Sequence, residues 1–146
     1  MNFNKNILEI KNMNSVVQHL QNFIHEQVYD NFRKRGIVIG ISGGIDSAVS
    51  IKLCCDAIGK KNVLAVILPE KESNPHSQEF AKKYCEKLGV KYEIEDITSI
   101  LDSSEIYQTR EKIVEKYFSG YNQSCKYRIV FSENFDNDGL SIPYLE

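Results

Sequence analysis

GIVIGISGGIDS, Gly36 to Ser47, decides the fold. Gly36 to Ile41 is a short β-branched run bounded by glycines and reads as a buried strand. SGGIDS follows at once, and then AVSIKLCCDAI carries helical apolar spacing up to Gly59. A strand, a tight glycine turn and a helix are thus packed into one stretch. Beyond KKN, VLAVIL from Val63 to Leu68 is a second near-continuous apolar strand, stopped by Pro69. A right-handed crossover between parallel strands is the expected way to join the two runs.

Working outward, the loop EKESN leads to Pro75, which suits the first position of a helix capped by Asn74 or Ser73. Ser77, Phe80, Ala81, Tyr84 and Leu88 mark one face of that helix and Gly89 ends it. VKYEIEDI is a third strand whose stronger alternation places it nearer a sheet edge. Upstream, Val16, Leu20, Ile24, Val28 and Phe32 recur every four positions, predicting a helix from Ser15 to Arg35 capped by Asn14 or Ser15 and ended by Gly36. His19 and His25 lie on it six positions apart and cannot form an i, i+4 metal pair. Downstream, Ile106, Arg110, Ile113, Val114 and Tyr117 predict a helix over Ser104–Phe118 capped by Ser103 or Ser104. YRIVF (Tyr127 to Phe131) reads as a strand, and Asp138-Gly139 as a turn into LSIPYL. The alternation is that of an α/β fold with a parallel sheet. The expected layout is an N-terminal helix over 1–35, an α/β core over 36–118 and an extension over 119–146.

The length of 146 residues fits one domain of roughly 150. Hydrophobic residues at 42% and charged residues at 26% are ordinary for a globular domain, so disorder is not expected. The net charge of −2 lacks the positive balance of a nucleic-acid footprint, so nucleic acid is not an expected partner, although a local basic patch stays open. The run from Val63 to Leu68 is far short of the roughly 18 residues that span a bilayer, and no membrane association is expected. The N-terminus has no apolar h-region with a small-residue cleavage site. Cys54, Cys55, Cys85 and Cys125 form no C-x-x-C pair. They read as buried reduced thiols of a cytoplasmic protein.

The turn after the first strand is built for an anion. Unpaired N–H groups of a helix's first turn point outward there, and the helix dipole adds partial positive charge. Gly43 and Gly44 can adopt positive φ and admit a phosphate to the backbone, while Ser42 and Ser47 supply hydroxyl donors. The Walker A pattern fails, because Ile45 stands five residues after Gly40 and no lysine follows the loop; the dinucleotide pattern G-x-G-x-x-G fails as well. Asp46 beside a polyphosphate implies a divalent cation between them, and hard oxygen ligands suit Mg²⁺. A plain tight turn with Asp46 as helix cap is the competing reading. The flanking serines and the preceding strand favour the cradle.

SGGIDS after a hydrophobic strand resembles the signature of the PP-loop, or N-type, ATP pyrophosphatases. GISGGIDSAVSIKL, then NVLAVILP and a Ser- and Pro-containing loop, is similar to the first part of the ammonia- or glutamine-dependent NAD synthetases, over roughly Ser15 to Leu101 and more weakly through KYRIVF. The resemblance implies a Rossmann-like, adenine nucleotide alpha hydrolase-like three-layer sandwich. It also implies adenylation of a carboxylate, that of deamido-NAD, with release of pyrophosphate before attack by ammonia. Carried over, Gly40, Ser42, Gly43, Gly44, Ile45 and Ser47 would line the phosphates of ATP, Asp46 would hold Mg²⁺ and Leu68 would meet the adenine. Related loops in enzymes acting on tRNA or other small molecules leave a tRNA or sugar acceptor as an alternative.

The family's Gly-Thr-x-Asn segment, second acidic metal ligand and most of its acceptor site have no match after Phe131. The chain is therefore expected to be truncated relative to that family, and a catalytically incomplete ATP-binding module is the other reading. Helix faces left uncovered by the absent part predict a homodimer. His76 reads as a helix-starting residue, Glu70 and Glu72 as solvated, and Arg110, Lys126 and Arg128 as candidate phosphate contacts without an assigned place.

Overall fold

The computed structural model describes residues 10–118 and the two short strands Ile129–Phe131 and Pro143–Leu145. The chain forms two compact units, 1–99 and 100–146, where length alone predicts one. In the first, helix α1 (Met13–Glu26) runs into a π-helical turn, Gln27–Asn31. Strand β1 (Ile37–Gly40), helix α2 (Ile45–Ile58), strand β2 (Val63–Ile67), helix α3 (Pro75–Leu88) and strand β3 (Lys91–Ile94) follow. Helix α4 (Thr98–Ser103) straddles the boundary.

The sheet order is β1-β2-β3 with both pairs parallel, Ile37 beside Val63 and Leu64 beside Lys91. It is an α/β fold, and among the described residues β3 lies at an edge, in line with its alternation. Side chains alternate across a strand, so the register puts Ile37, Ile39, Val63, Ala65, Ile67 and Tyr92 on one face. That face is the core. Val63, Ala65 and Ile67 pack there with Ile51, Cys54 and Ile58 of α2 and Ala81 and Cys85 of α3, and Ile24 and Val28 join them from the N-terminal helical segment. Ile51, Ala65, Ala81 and Cys85 have no exposed surface at all.

The other face differs from expectation. β1 reads as a strand buried on both sides, yet Val38 is 69% exposed. The described helices α2 and α3 both pack on the core face, so the helical cover that a doubly wound parallel sheet carries on its second face is not supplied there by the described residues.

Helix ends follow local chemistry. Asn74 accepts a hydrogen bond from His76 N (3.0 Å), Pro75 opens α3, and Gly89 closes it in the left-handed region at φ 68°. α1 departs from prediction: its cap is Asn12, which accepts from Ser15 N (3.1 Å), and helical structure stops at Asn31, with Arg33 at φ 51°. Residues four apart drift about 40° per step around a helix. Hence the predicted stripe does not stay on one side: Val28 is buried while Val16 and Leu20 are 38% exposed, and Phe32, beyond the last helical residue, is 64% exposed.

In the second unit, α5 (Ile106–Tyr117) starts two residues later than predicted. Its cap is Glu105, and the Ser103 and Ser104 hydroxyls donate back to Ile100 O instead (2.9 and 2.8 Å). Tyr107 and Val114 are its buried residues, while Ile106, Ile113 and Tyr117 are exposed. Strands β4 (Ile129–Phe131) and β5 (Pro143–Leu145) fall within YRIVF and LSIPYL, and they pair antiparallel. The Asp138-Gly139 turn lies outside the described residues.

Candidate functional site

The loop between β1 and α2 sits at the carboxyl end of the sheet, where open α/β folds bind ligands. Ile41 N still donates to Val66 O (2.9 Å), so the strand pairing runs up to the first loop residue. Gly43 then turns the chain at φ 83°. A Cβ built on Gly43 would stand 2.2 Å from the carbonyl oxygen of Ser77, so the first turn of α3 is pressed against the space that only glycine leaves. Gly44 departs from the expectation of positive φ: it caps α2 in extended geometry, φ −85° and ψ 165°, and no side chain caps that end. Asp46 is consequently not the cap. It projects, exposed, from the first turn.

Two serines hold the loop. Ser47 Oγ donates to Gly44 O (2.9 Å) and accepts from Ser42 N (3.3 Å), and Ser42 Oγ accepts from Gly44 N (3.3 Å). The two hydroxyls lie 3.1 Å apart. They are therefore structural members of the turn, the one Ser47 hydroxyl proton being committed to Gly44 O. Gly40, the last residue of β1, has nothing within 4 Å of where a Cβ would stand. Ile45 is 76% exposed at the start of α2.

Two clefts flank the loop. One, about 220 Å³, lies over the ends of β1 and β2 and joins Ser42 to Leu68, Pro69, Ser73, Ser77 and Gln78. Leu68, 49% exposed, is thereby brought beside the glycine loop. The other, about 410 Å³, lies between α2 and α3, from Gly43, Gly44, Ile45 and Ala48 to Phe80, Tyr84 and Lys87. Ser77 and Gln78 were not singled out for binding from the sequence; a backbone carbonyl approaching a glycine leaves no signal in residue type.

Among the described residues no group of three or more His, Cys, Asp or Glu could hold a metal, so Asp46 is a single carboxylate. That is compatible with Mg²⁺, which commonly takes one or two carboxylates together with phosphate oxygens and water. Glu70 is tied into its own loop: its carboxylate accepts from Ser73 Oγ (3.3 Å) and Glu72 N (3.0 Å). His76 starts α3 with its ring 3.9 Å from Glu79. Arg110 is on α5, 5.4 Å from the Tyr107 ring; Lys126 and Arg128 lie outside the described residues. Cys54, Cys55 and Cys85 are free thiols, each held above its ordinary pKa by burial.

No helix among the described residues is long and apolar enough to cross a membrane. The family model described as NAD synthase matches residues 16–139. The NH(3)-dependent NAD(+) synthetase of Methanocaldococcus jannaschii is 47% identical over 91 residues, 62% of this chain and 35% of that protein. Among solved structures, the NH3-dependent NAD synthetase of Campylobacter jejuni in complex with the nitrate ion superposes with a TM-score of 0.59 at 30% identity, covering 79% of this chain and 45% of that one. The glutamine-dependent NAD+ synthetase of Acinetobacter baumannii in complex with ADP does so with a TM-score of 0.59 at 28% identity, covering 73% and 19%. The chain spans about a third of the length of the curated relatives it matches. With the parallel sheet, the glycine loop and a match over most of its residues in agreement, the chain belongs to the NAD synthase family.

Proposed function

We propose that this chain is the ATP-binding part of an NAD synthetase-like amide ligase. The observation that carries the reading is the loop: Gly43 at positive φ, packed under the Ser77 carbonyl, turns the chain from β1 into α2, and the first-turn N–H groups of such a helix have no intrahelical partner and favour an anion. In this reading Gly40, Ser42, Gly43, Gly44, Ile45 and Ser47 surround the phosphates, and the adenine lies by Leu68. Asp46 and phosphate oxygens hold Mg²⁺, which when bound neutralises charge on the departing pyrophosphate. The Ser42 and Gly44 N–H groups and the Ser47 hydroxyl proton are taken up by the loop's own hydrogen bonds, which hold the turn, so the first-turn N–H groups of α2 need little reorganisation as that charge develops. In this reading the carboxylate of a small molecule, deamido-NAD, takes the adenylyl group from ATP as pyrophosphate leaves, and ammonia then displaces AMP to form the amide. The net charge of −2 favours a small-molecule acceptor over a nucleic acid.

The test is release of pyrophosphate from Mg-ATP with deamido-NAD and ammonia, measured with and without the acceptor. Acceptor-dependent release supports the ligase. Mg-ATP binding without release identifies a binding module. Failure to bind Mg-ATP contradicts both.

We also propose a homodimer in the cytoplasm. Met13, Val16, Leu20 and Phe23 form an apolar stripe on α1 with 3-4-3 spacing, all at least 38% exposed, the seam a like helix fits. The free thiols suit a reducing compartment. Sedimentation giving a dimer that Leu20→Glu dissociates supports the seam; a wild-type monomer refutes it.

A further inference from the structure

We propose that the amino end of the sheet binds single-stranded nucleic acid, at a cationic edge on the opposite end of the strands from the glycine loop. The three strands β1 to β3 are parallel, so their first residues share that edge. Ile37 lies beside Val63, which sets Arg33, Lys34 and Arg35, leading into β1, next to Lys60 and Lys61, leading into β2. The two segments meet: a Cβ on Gly36 would overlap the Asn62 carbonyl oxygen. Lys60 Nζ reaches on to Gly89, ahead of β3, 2.8 Å from where a Cβ would stand.

These five cations are exposed, and none makes an ion pair or a side-chain hydrogen bond with a described residue. The acids of this end are largely occupied. Glu93 pairs with Lys91 (2.9 Å) and Glu86 accepts from Tyr92 Oη (3.1 Å), which leaves Asp30 beside the run. The net charge of −2 is thus an average over an uneven surface.

The run is also held in a shape that backbone preference does not explain. Phe32 N donates to Gln27 O and Lys34 N to Val28 O (both 2.8 Å), closing the helical segment, and Arg33 stands between them at φ 51°. Glycine is the ordinary occupant of a left-handed helix end. An arginine there carries backbone strain, and such strain collects where function retains it. Phe32, next to it, is 64% exposed. Guanidinium forks fit phosphate oxygens and an exposed ring offers its face to a base, the two elements of a sequence-tolerant single-strand site. A membrane surface would draw on more apolar area than one ring.

Fluorescence anisotropy of a labelled oligouridylate of about 12 nucleotides, titrated with the full chain at several salt concentrations, tests this. Log affinity should fall against log salt with a slope of about −3.5, the value for five neutralised phosphates on a single strand. Lys60→Ala/Lys61→Ala should reduce that slope by about 1.4, whereas Phe32→Ala should weaken binding about 5-fold or more and leave the slope unchanged. Arg33→Gly, which relieves the backbone, should lose affinity without lowering the denaturation midpoint. Mg-ATP should not compete. The proposal is overturned by an oligouridylate that does not bind at about 50 mM salt, by cation variants that keep the wild-type slope, or by competition from Mg-ATP. Binding to phosphatidylserine vesicles without binding to the oligouridylate overturns it equally.

Discussion

The carbonyl oxygen of Ser77 occupies the space where a side chain on Gly43 would begin, 2.2 Å from the ideal Cβ position. A helix that follows the second strand thus fixes the shape of the loop that follows the first. Gly43→Ala would add backbone strain at φ 83° to this overlap. We predict a stability loss of about 1–3 kcal/mol or more and no measurable Mg-ATP binding, read by chemical denaturation and calorimetry. Wild-type stability in the variant would show that the contact is not fixed.

Asp46 projects from the first turn of α2 and touches no core residue. Asp46→Ala should lower Mg-ATP affinity while costing at most about 1 kcal/mol of stability, the size of a favourable charge at a helix N-terminus. Calorimetry at saturating Mg²⁺ measures it. Unchanged affinity would show that Asp46 is no metal ligand.

The two faces of the sheet should respond unequally. Ile51 has no exposed surface and Val38 is 69% exposed. Ile51→Ala should cost about 2–5 kcal/mol. Val38→Thr should change stability by under about 0.5 kcal/mol. Comparable losses in urea titrations would mean that the outer face of β1 is covered after all.

The contrast marks what the sequence could disclose. Pro75, Asn74 and Gly89 act within a few residues of themselves, so the ends of α3 are legible directly. The glycine loop is legible for the same reason. Burial is not local: Val38 sits in an apolar run, yet α2 and α3 pack on the opposite face of the sheet and leave it exposed. Periodicity likewise marks Ile106 and Ile113 on α5, whereas packing buries Tyr107 and Val114. Within the site, Ser42, Gly43 and Asp46 could be named from the motif. Ser77 could not, because it contributes a backbone oxygen, and Gln78 enters only through a fold that brings α3 over the strand ends.

Burial raises the thiol pKa of Cys54, Cys55 and Cys85. Below about pH 8.5 thiols are protonated in both folded and unfolded chains. Above it the unfolded chain ionises first and binds fewer protons, so stability falls as pH rises. Denaturation midpoints between pH 8 and 10 should therefore decline, and Cys85→Ala should decline less. An identical slope in that variant would contradict a buried, protonated Cys85.

The most direct test of the central claim is a crystal of the chain grown or soaked with Mg²⁺ and a non-hydrolysable ATP analogue. The account predicts phosphate oxygens within hydrogen-bond distance of the N–H groups of the Gly43–Ser47 turn. A nucleotide bound elsewhere with this turn vacant would contradict it.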